Sequence, residues 1–321
     1  MTNSPDRGWT ARDVPDQTGK FHLVTGANSG LGFASVRVLA GRGASVLLAC
    51  RDLEKGRRAI AAIRAETPAA DVRLIRLDLA SLASIRTAAA EVLATCTRLD
   101  VLMNNAGVMA VPFARTADGF EMQFGTNHLG HFALTTRLLP LLKAAPGSRI
   151  VTVSSAMHWR GRLVADDPCF EHRPYSPWEA YSQSKLANLL FTFELDRRLR
   201  AAGVPILALA AHPGYAATEL QGRGPALSGS KVRAGIMRAA NALFAQSADA
   251  GAWPQLRAAT DPAARSGDYF GPGRLGGMYG PALPARSAPQ ARDEVASSAL
   301  WALSVRFTGV APDLPNPDQE S

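Results

Sequence analysis

Short apolar runs alternate with longer segments at helical spacing along most of this chain. The runs do not alternate apolar with polar residues, which predicts strands that are buried on both faces. Strands of this kind separated by helices predict parallel crossover connections and an α/β fold with a doubly wound parallel sheet. The predicted strands are residues 21–25, 45–49, 72–77, 101–103, 149–153, 206–210 and 269–270. The predicted helices are about residues 31–42, 53–65, 82–94, 117–144 and 180–201.

The sequence predicts a single domain over residues 19–311. No repeat or low-complexity linker divides it, and 321 residues with 47% hydrophobic content are enough for one large core. Residues 1–18 and 312–321 are polar and contain proline, which predicts flexible terminal arms. Three loops are predicted to contact a substrate at the carboxyl edge of the sheet, at about residues 156–178, 215–231 and 271–289.

Composition argues against several classes of protein. The 3 cysteines are odd in number and widely spaced, which argues against a disulfide framework and favours a reducing compartment. The apolar stretches are far shorter than the roughly 20 residues of a membrane span, and the polar start resembles no signal peptide. The net charge of +8 comes from arginines interleaved with acids, not from a basic block. We therefore expect a cytoplasmic protein with no membrane anchor and no nucleic-acid partner; homo-oligomerisation stays open.

A glycine-rich turn follows the first predicted strand directly, reading T-G-A-N-S-G-L-G at residues 25–32. Its glycines let the backbone turn tightly and approach a pyrophosphate, and the helix that follows directs free N–H groups at the phosphates. The spacing departs from G-x-G-x-x-G, but the position between a strand and a helix favours a dinucleotide site. The expected cofactor contacts are Gly26, Asn28, Ser29, Gly30, Leu31 and Gly32.

The end of the second predicted strand, L-A-C-R-D at residues 48–52, is expected to select the dinucleotide. Arg51 can bind a 2′-phosphate through charge-assisted hydrogen bonds, which favours NADP(H). Asp52 turned inward would bind a ribose hydroxyl and favour NAD(H), and this alternative stays open. The adenosine half of the cofactor is expected to contact residues after the third and fourth strands, namely Asp78, Leu79, Asn105, Ala106 and Gly107.

Tyr181 and Lys185 are four residues apart on a predicted helix and so share one face of it. A nearby ammonium favours the phenolate, so the pair makes tyrosine a usable general acid or base for interconverting a carbonyl and an alcohol. Ser154 and Ser155 end the fifth predicted strand, where a hydroxyl can hydrogen-bond a reacting oxygen. Asn127 places a polar side chain within a long helical stretch, which predicts either a bend or a polar site.

Together these motifs resemble the short-chain dehydrogenase/reductase family, and within it the retinol dehydrogenase group. Further runs carry the resemblance: N-H-L-G-H-F at 127–132, K-L-A-N at 185–188, and H-P-G at 212–214 with Thr218 four residues on. The similarity covers about residues 20–221. It implies a Rossmann-type fold and an NAD(P)-dependent enzyme acting on alcohols and carbonyls.

The resemblance also implies roles for the matched residues. Tyr181 would donate the proton, and Lys185 would bind the nicotinamide ribose and hold the pKa of the tyrosine down. Ser155 would orient the carbonyl, with Ser154 as a minor rival, and Asn127 would hold a water in the proton relay. The nicotinamide carboxamide would contact Pro213, Gly214 and Thr218.

The substrate is expected to be a lipophilic aldehyde, ketone or alcohol. An insertion between Ser155 and Tyr181, similar to one in the retinol dehydrogenase group, is interpreted as a wall of the substrate pocket. The expected pocket residues are apolar, namely Met109, Met157, Trp159, Tyr215 and Leu220. Two alternatives stay open: a non-catalytic dinucleotide-binding sensor or scaffold, and an epimerase or dehydratase of the same fold.

No metal site is expected from the sequence. His128 and His131 are three residues apart, but no carboxylate or cysteine lies beside them at ligand spacing, so packing within a helix explains them better. No G-x-S-x-G motif occurs either, which argues against an acyl-transfer hydrolase.

Overall fold

A computed structural model describes residues 8–214, 247–315 and 317, which contain one eight-stranded sheet in the order β3-β2-β1-β4-β5-β6-β7-β8. The neighbouring strands from β3 to β7 are parallel, and β7 pairs with β8 in antiparallel fashion. This confirms the predicted Rossmann-type α/β fold. The strands are β1 Phe21–Thr25, β2 Ser45–Cys50, β3 Val72–Arg76, β4 Val101–Asn104, β5 Arg149–Val153, β6 Leu207–Ala211, β7 Tyr269–Arg274 and β8 Tyr279–Pro284.

Helices connect the strands and extend past the last one. They are α1 Gly30–Gly41, α2 Leu53–Glu66, α3 Leu82–Thr95, α4 Met122–Phe124, α5 Gly130–Lys143, α6 Pro177–Ala201, α7 Ala248–Gly251, α8 Trp253–Thr260 and α9 Glu294–Thr308. A π-helical segment, Gly125–Leu129, joins α4 to α5, and the 3₁₀ helix Ala156–Arg160 follows β5. Across the described residues, 8–214 and 247–315, no helix is both long and apolar enough to cross a membrane.

Successive residues of the central strands face two separate apolar cores. Val24 and Leu48 lie in a core with residues of α1 and α8, whereas Leu23 and Leu47 lie in a core with residues of α3 and α5. Both faces of the sheet are therefore covered, as the uninterrupted apolar strands predicted. The parallel crossovers place the loops that follow β1, β2, β4 and β5 at one edge of the sheet, where ligands bind in folds of this type.

The helix predicted at residues 117–144 begins later than the sequence indicated. Its first five residues form a turn instead, in which the Thr116 hydroxyl accepts a hydrogen bond from the amide of Phe120. The Glu121 carboxylate then caps α4 by accepting from the amides of Gln123 and Phe124. The helix therefore begins at Met122 and continues through the π-helical segment into α5, because these side chains accept from the backbone donors at its start.

The prediction of a loop at residues 271–289 is wrong over most of this range, since β7 and β8 form a hairpin there. The glycine and proline content suggested a loop, but Gly271 lies inside β7. Glycine is found at this strand position because the packing leaves no space for a side chain. A Cβ at this position would lie 2.0 Å from Nε2 of His212. The composition of this segment therefore reflects a close approach between β7 and the end of β6.

The N-terminal segment packs on the domain from residue 8 onward, where the sequence predicted a loose arm. The backbone of Trp9 pairs with that of Ala282 through hydrogen bonds of 3.1 and 2.7 Å, and Val14 is buried. At the other end, the carbonyl of Pro315 accepts a hydrogen bond from the Arg198 guanidinium at 3.1 Å, and Leu314 packs against the core. Residues 1–7, 316 and 318–321 of the two predicted arms lie outside the described residues.

Candidate active site

Two loops approach each other closely at the carboxyl edge of the sheet. Gly26, after β1, has a φ of +65°, and a Cβ there would lie 2.8 Å from the Ala106 side chain. A Cβ on Gly32 would lie 2.6 Å from Nδ2 of Asn105. Both glycines are therefore required because the β1 and β4 loops leave no space for a side chain between them.

A cleft of about 300 Å³ lies over these loops. Its lining includes each residue that the sequence predicted for the pyrophosphate and adenosine half: Gly26, Asn28, Ser29, Gly30, Leu31, Gly32, Arg51, Asp78, Leu79, Asn105, Ala106 and Gly107. Ser29 precedes α1, and its side chain makes no capping hydrogen bond within the described part of the chain. The first amides of α1 thus lie at the cleft without a side-chain cap, and this donor set fits a pyrophosphate.

Arg51 and Asp52, which follow β2, have different surroundings. The Asp52 carboxylate caps α2 by accepting from the amide of Lys55 at 3.0 Å. The Arg51 side chain is exposed at the cleft, and Lys55 also lines it. Sequence reasoning missed Lys55, although its position four residues after Arg51, in the first turn of the next helix, was a usable signal.

The residues after β3 and β4 are partly engaged within the fold. One oxygen of Asp78 accepts from the amide of Ala80 at 3.0 Å. Asn105 donates from Nδ2 to the carbonyl of Thr25 at 2.7 Å, and its Oδ1 accepts from Gln255 at 3.1 Å. Asn105 therefore shapes the loop against α1 and α8, whereas Asp78 keeps a carboxylate oxygen for other contacts.

Three hydrogen bonds attach α6 to the end of β5. The carbonyl of Val153 accepts from Nζ of Lys185 and from Nδ2 of Asn188, each at 3.0 Å. The Ser154 hydroxyl donates to the carbonyl of Lys185 at 2.8 Å. This attachment places Tyr181, one turn earlier on α6, against the residue that follows Ser154.

The structure brings Ser155, not Ser154, to Tyr181. Ser155 is the serine whose hydroxyl acts on the buried phenol of Tyr181 and lowers its pKa, while the Ser154 hydroxyl donates to the carbonyl of Lys185. Nζ of Lys185 lies 5.8 Å from the centroid of the Tyr181 ring, as expected for neighbours on one helix face. The phenol, the serine hydroxyl and the ammonium thus form one group beside the cleft.

Burial dominates the titration of this group. It raises the pKa of Tyr181 to about 12, and the hydrogen bond from Ser155 acts in the opposite direction. Burial also lowers the pKa of Lys185 to about 8. The expected lowering of the tyrosine pKa by the ammonium is not seen in this structure, where the cost of burying a phenolate raises that pKa.

Asn127 lies in the π-helical segment between α4 and α5, so the predicted interruption of the helix occurs. Its Oδ1 accepts from the amide of Val108 at 2.8 Å, and its Nδ2 donates to the carbonyl of Val108 and to the hydroxyl of Ser184, each at 2.9 Å. A Cβ added at Gly107 would lie 3.0 Å from Oδ1 of Asn127 and 3.5 Å from Nζ of Lys185. The asparagine therefore joins the loop after β4 to the helix that carries Tyr181.

His131 connects this asparagine to the glycine-rich turn. Oγ1 of Thr25 accepts from the amides of Asn105 and Ala106, so its own proton is directed to Nε2 of His131 at 2.9 Å. Nδ1 of His131 then donates to the carbonyl of Asn127 at 3.0 Å. From the sequence, His131 was interpreted as a residue that packs within a helix, because its partner Thr25 lies far away in the chain.

His128 has a different environment from His131. Its Nε2 lies 2.7 Å from the hydroxyl of Ser304 on α9, in the apolar core. Among the described residues, no group of three or more histidine, cysteine or acidic side chains is arranged to hold a metal ion.

The side of the cleft beyond Tyr181 is described in part. Gly214 follows β6 with a φ of +67°, and a Cβ there would lie 2.5 Å from the carbonyl oxygen of Met278. Trp178 is 46% exposed, and its ring lies 6.1 Å from that of Tyr181. The predicted contact Thr218 and the pocket residues Tyr215 and Leu220 lie outside the described residues, as does the predicted loop at 215–231.

The sequence model of the short chain dehydrogenase family matches residues 20–226. This chain belongs to that family. Human retinol dehydrogenase 13 is 46% identical over 294 residues, which cover 91% of this chain and 85% of that protein. Mouse polyprenol dehydrogenase is 40% identical over 302 residues, with 92% and 86% covered. A crystal structure of an uncharacterised protein from Mycobacterium paratuberculosis superposes with a TM-score of 0.77 and 46% identity, covering 94% of this chain and 98% of that one.

The family and these relatives confirm the resemblance seen in the sequence. The protein is a short-chain dehydrogenase of the retinol dehydrogenase-like group, an oxidoreductase that acts on CH–OH groups. Members of the family bind NAD(P), and the cleft described above has the glycines and the helix N-terminus that such a cofactor needs.

Lys185→Met is expected to stabilise the protein at pH 7. Burial lowers the pKa of Lys185 from 10.5 to about 8, so below pH 8 the folded state carries a buried charge that costs up to about 3 kcal/mol. Between pH 8 and pH 10.5, Lys185 is neutral in the folded protein and still protonated in the unfolded chain. The wild type therefore gains stability as the pH rises through this range. Val153 keeps its hydrogen bond from Asn188 in the variant.

Urea unfolding at pH 7 and pH 9.5 measures this effect. The variant should be more stable than the wild type at pH 7, and the difference should shrink at pH 9.5. Lys143→Met, at an exposed ion pair with Asp313, is the matched control and should show little change at either pH. A stability loss at pH 7, or an equal gain at both pH values, would contradict the prediction.

Proposed function

We propose that this protein is an NADP(H)-dependent oxidoreductase that interconverts a lipophilic aldehyde or ketone with its alcohol, with Tyr181 as the general acid or base. The observation that carries the proposal is that the Ser155 hydroxyl acts on the buried phenol of Tyr181, beside the buried ammonium of Lys185. Lys185 connects this group to the cleft that fits a dinucleotide, since Gly107 lines that cleft and lies against Lys185. A phenol, a hydroxyl and an ammonium arranged in this way suit proton transfer to a carbonyl oxygen.

A bound dinucleotide would supply or accept the hydride. In the reducing direction, the hydroxyls of Ser155 and Tyr181 hydrogen-bond the substrate carbonyl oxygen, and Tyr181 transfers its proton to that oxygen as negative charge develops there. Lys185 holds the nicotinamide ribose and stabilises the phenolate that remains. Asn127 positions a water in the path that returns a proton to the tyrosine. The high pKa of Tyr181 keeps its hydroxyl protonated at neutral pH, in the form that donates.

The preference for NADP(H) is supported by the residues after β2. The Asp52 carboxylate, at a residue that also lines the cleft, is engaged as the N-cap of α2 by the amide of Lys55. Arg51 and Lys55 place two cationic side chains at the same end of the cleft. A 2′-phosphate there would accept a charge-assisted hydrogen bond from Arg51 and an ion-pair contact from Lys55.

The substrate class is inferred from the apolar side chains near Tyr181. Met109 and Val111 line the cleft beyond Gly107, and Trp178 lies beside the Tyr181 ring. The relatives at 46% and 40% identity are a retinol dehydrogenase and a polyprenol dehydrogenase. Retinol and polyprenols are alcohols with apolar hydrocarbon chains, which agrees with an apolar approach to the tyrosine.

Tyr181→Phe is expected to lower kcat by roughly 10²- to 10⁴-fold, because the proton donor is removed. Affinity for NADPH, measured by the fluorescence of the bound nucleotide, should change little. Tyr279→Phe, which removes a hydroxyl from a half-buried tyrosine on β8, is the matched control and should retain activity. Full activity in Tyr181→Phe would exclude this mechanism, whereas NADPH binding by a wild type without turnover would favour a sensor.

Arg51→Ala is expected to raise KM for NADPH about 10- to 100-fold, because a charge-assisted hydrogen bond is lost. KM for NADH should stay nearly constant. The ratio of KM for NADPH to KM for NADH therefore measures the contact between Arg51 and the 2′-phosphate. Lys55→Ala should change the ratio in the same direction by less. Arg57→Ala, whose guanidinium pairs with Glu54 on the same helix, is the control. An unchanged preference in Arg51→Ala would show that the 2′-phosphate is bound elsewhere.

The wild type is expected to reduce apolar carbonyls in preference to charged ones. The probes are all-trans-retinal, decanal and glucose 6-phosphate, each followed by the consumption of NADPH. We expect the two apolar aldehydes to give values of kcat/KM at least tenfold above that of the sugar phosphate, because burying apolar surface near Tyr181 adds binding free energy. A preference for the sugar phosphate would reject the lipophilic class, and consumption of NADPH with none of the carbonyls would favour an epimerase or dehydratase.

A further inference from the structure

His158 is a buried histidine that the mechanism above does not use. It lies in the 3₁₀ helix Ala156–Arg160, three residues after Ser155, and is 1% exposed. Its Nε2 accepts a hydrogen bond from the amide of Ala288 at 3.0 Å. Its Nδ1 lies 2.6 Å from the carbonyl oxygen of Ser155. Both ring nitrogens therefore have a partner, and one partner belongs to an active-site residue.

The two partners define the protonation state of the ring. A backbone amide can only donate, so Nε2 carries the lone pair and the single proton of the neutral ring lies on Nδ1. Nδ1 then donates to the carbonyl of Ser155. Burial lowers the pKa of His158, so the neutral ring is the stable form in the folded protein. One side of the ring thus fixes Ser155, and the other side is fixed by a segment more than a hundred residues away.

Apart from its approach to Tyr181, the other hydrogen bonds of Ser155 among the described residues are local to its own turn. Its Oγ accepts from the amide of Met157 at 3.2 Å, and its carbonyl also accepts from the amide of His158 at 3.0 Å. The imidazole bond is the contact that ties this turn to the segment after β8. Gln290 supports the same junction by donating to the carbonyl of Trp159 at 3.1 Å. A shift of the Ser155 peptide would move its Oγ relative to Tyr181.

We propose that His158 is a positioning residue, which holds Ser155 in register with Tyr181 by donating from Nδ1 to the Ser155 carbonyl while Ala288 fixes its Nε2. The inference rests on the proposed function, because it presumes that the Ser155 hydroxyl orients the substrate carbonyl. Misplacement of a catalytic hydroxyl by about 1 Å is enough to lower a rate up to 100-fold. His158 itself contacts neither the phenol nor the reacting atoms.

Two substitutions separate the two bonds of the ring. In His158→Asn, the amide nitrogen takes the place of Nδ1, so donation to Ser155 is kept and acceptance from Ala288 is lost. In His158→Gln, the amide oxygen takes the place of Nε2, so the bond from Ala288 is kept and donation to Ser155 is lost. A purely structural role would affect both variants through stability alone. The proposal predicts that only His158→Gln loses kcat.

The experiment measures kcat and KM for NADPH-dependent reduction of decanal by the full-length wild type, both variants and Ser155→Ala. We expect His158→Gln to lose roughly 10- to 100-fold in kcat with KM for NADPH unchanged, and His158→Asn to stay within about threefold of the wild type. His158→Gln in the Ser155→Ala background should cost little further, because the hydroxyl that it positions is already absent. Melting temperatures identify any variant that fails to fold.

Crystal structures of the two variants test the geometry without a substrate. The Ser155 hydroxyl should move away from the Tyr181 hydroxyl in His158→Gln and keep its position in His158→Asn. An unmoved Ser155 in His158→Gln, or an equal loss of kcat with and without the Ser155 hydroxyl, would overturn the proposal. Full activity in Ser155→Ala would instead reject the proposed role of Ser155, while the structures would still decide what His158 holds.

Discussion

The carbonyl of Val153 is the point on which the active site depends. It ends β5 in the middle of the sheet and accepts from both Lys185 and Asn188 of α6. A strand end buried by a helix needs donors for its last carbonyl, and α6 supplies them from side chains on one face. That requirement fixes the rotation of α6 about its axis. Tyr181, one turn before Lys185, is thereby directed at Ser155.

The same arrangement places costly groups in the protein interior. The pKa of Lys185 falls and that of Tyr181 rises, both because burial disfavours their charged forms. The rings of His131 and His158 each use both nitrogens, and each ring links segments that are distant in sequence. The buried ammonium of Lys185 thus lowers the stability of the protein, while the polar network around it holds a single geometry. Functional sites commonly lower stability in this way in return for a fixed arrangement of their side chains.

Local patterns predicted the dinucleotide half of the site well, since its residues follow strand ends in the order of the chain. Strands β1 and β5 were predicted with their observed limits, and the residues expected over the pyrophosphate line the cleft. The choice between Arg51 and Asp52 could not be made from sequence. The two residues are adjacent before a helix, and the structure adds that Asp52 is the N-cap of α2.

The half of the site that faces the substrate depends on contacts between distant segments, and sequence patterns are weak there. The sequence of the β7–β8 hairpin predicted a loop because the segment is rich in glycine and proline. Glycine is needed at position 271 because a side chain there would collide with His212. His158 had no local signal for its bond to Ala288, 130 residues later. These segments lie outside the glycine-rich turn and the Tyr181–Lys185 helix face. Substitutions in these segments can therefore change the surroundings of Tyr181 while the glycine-rich turn stays in place.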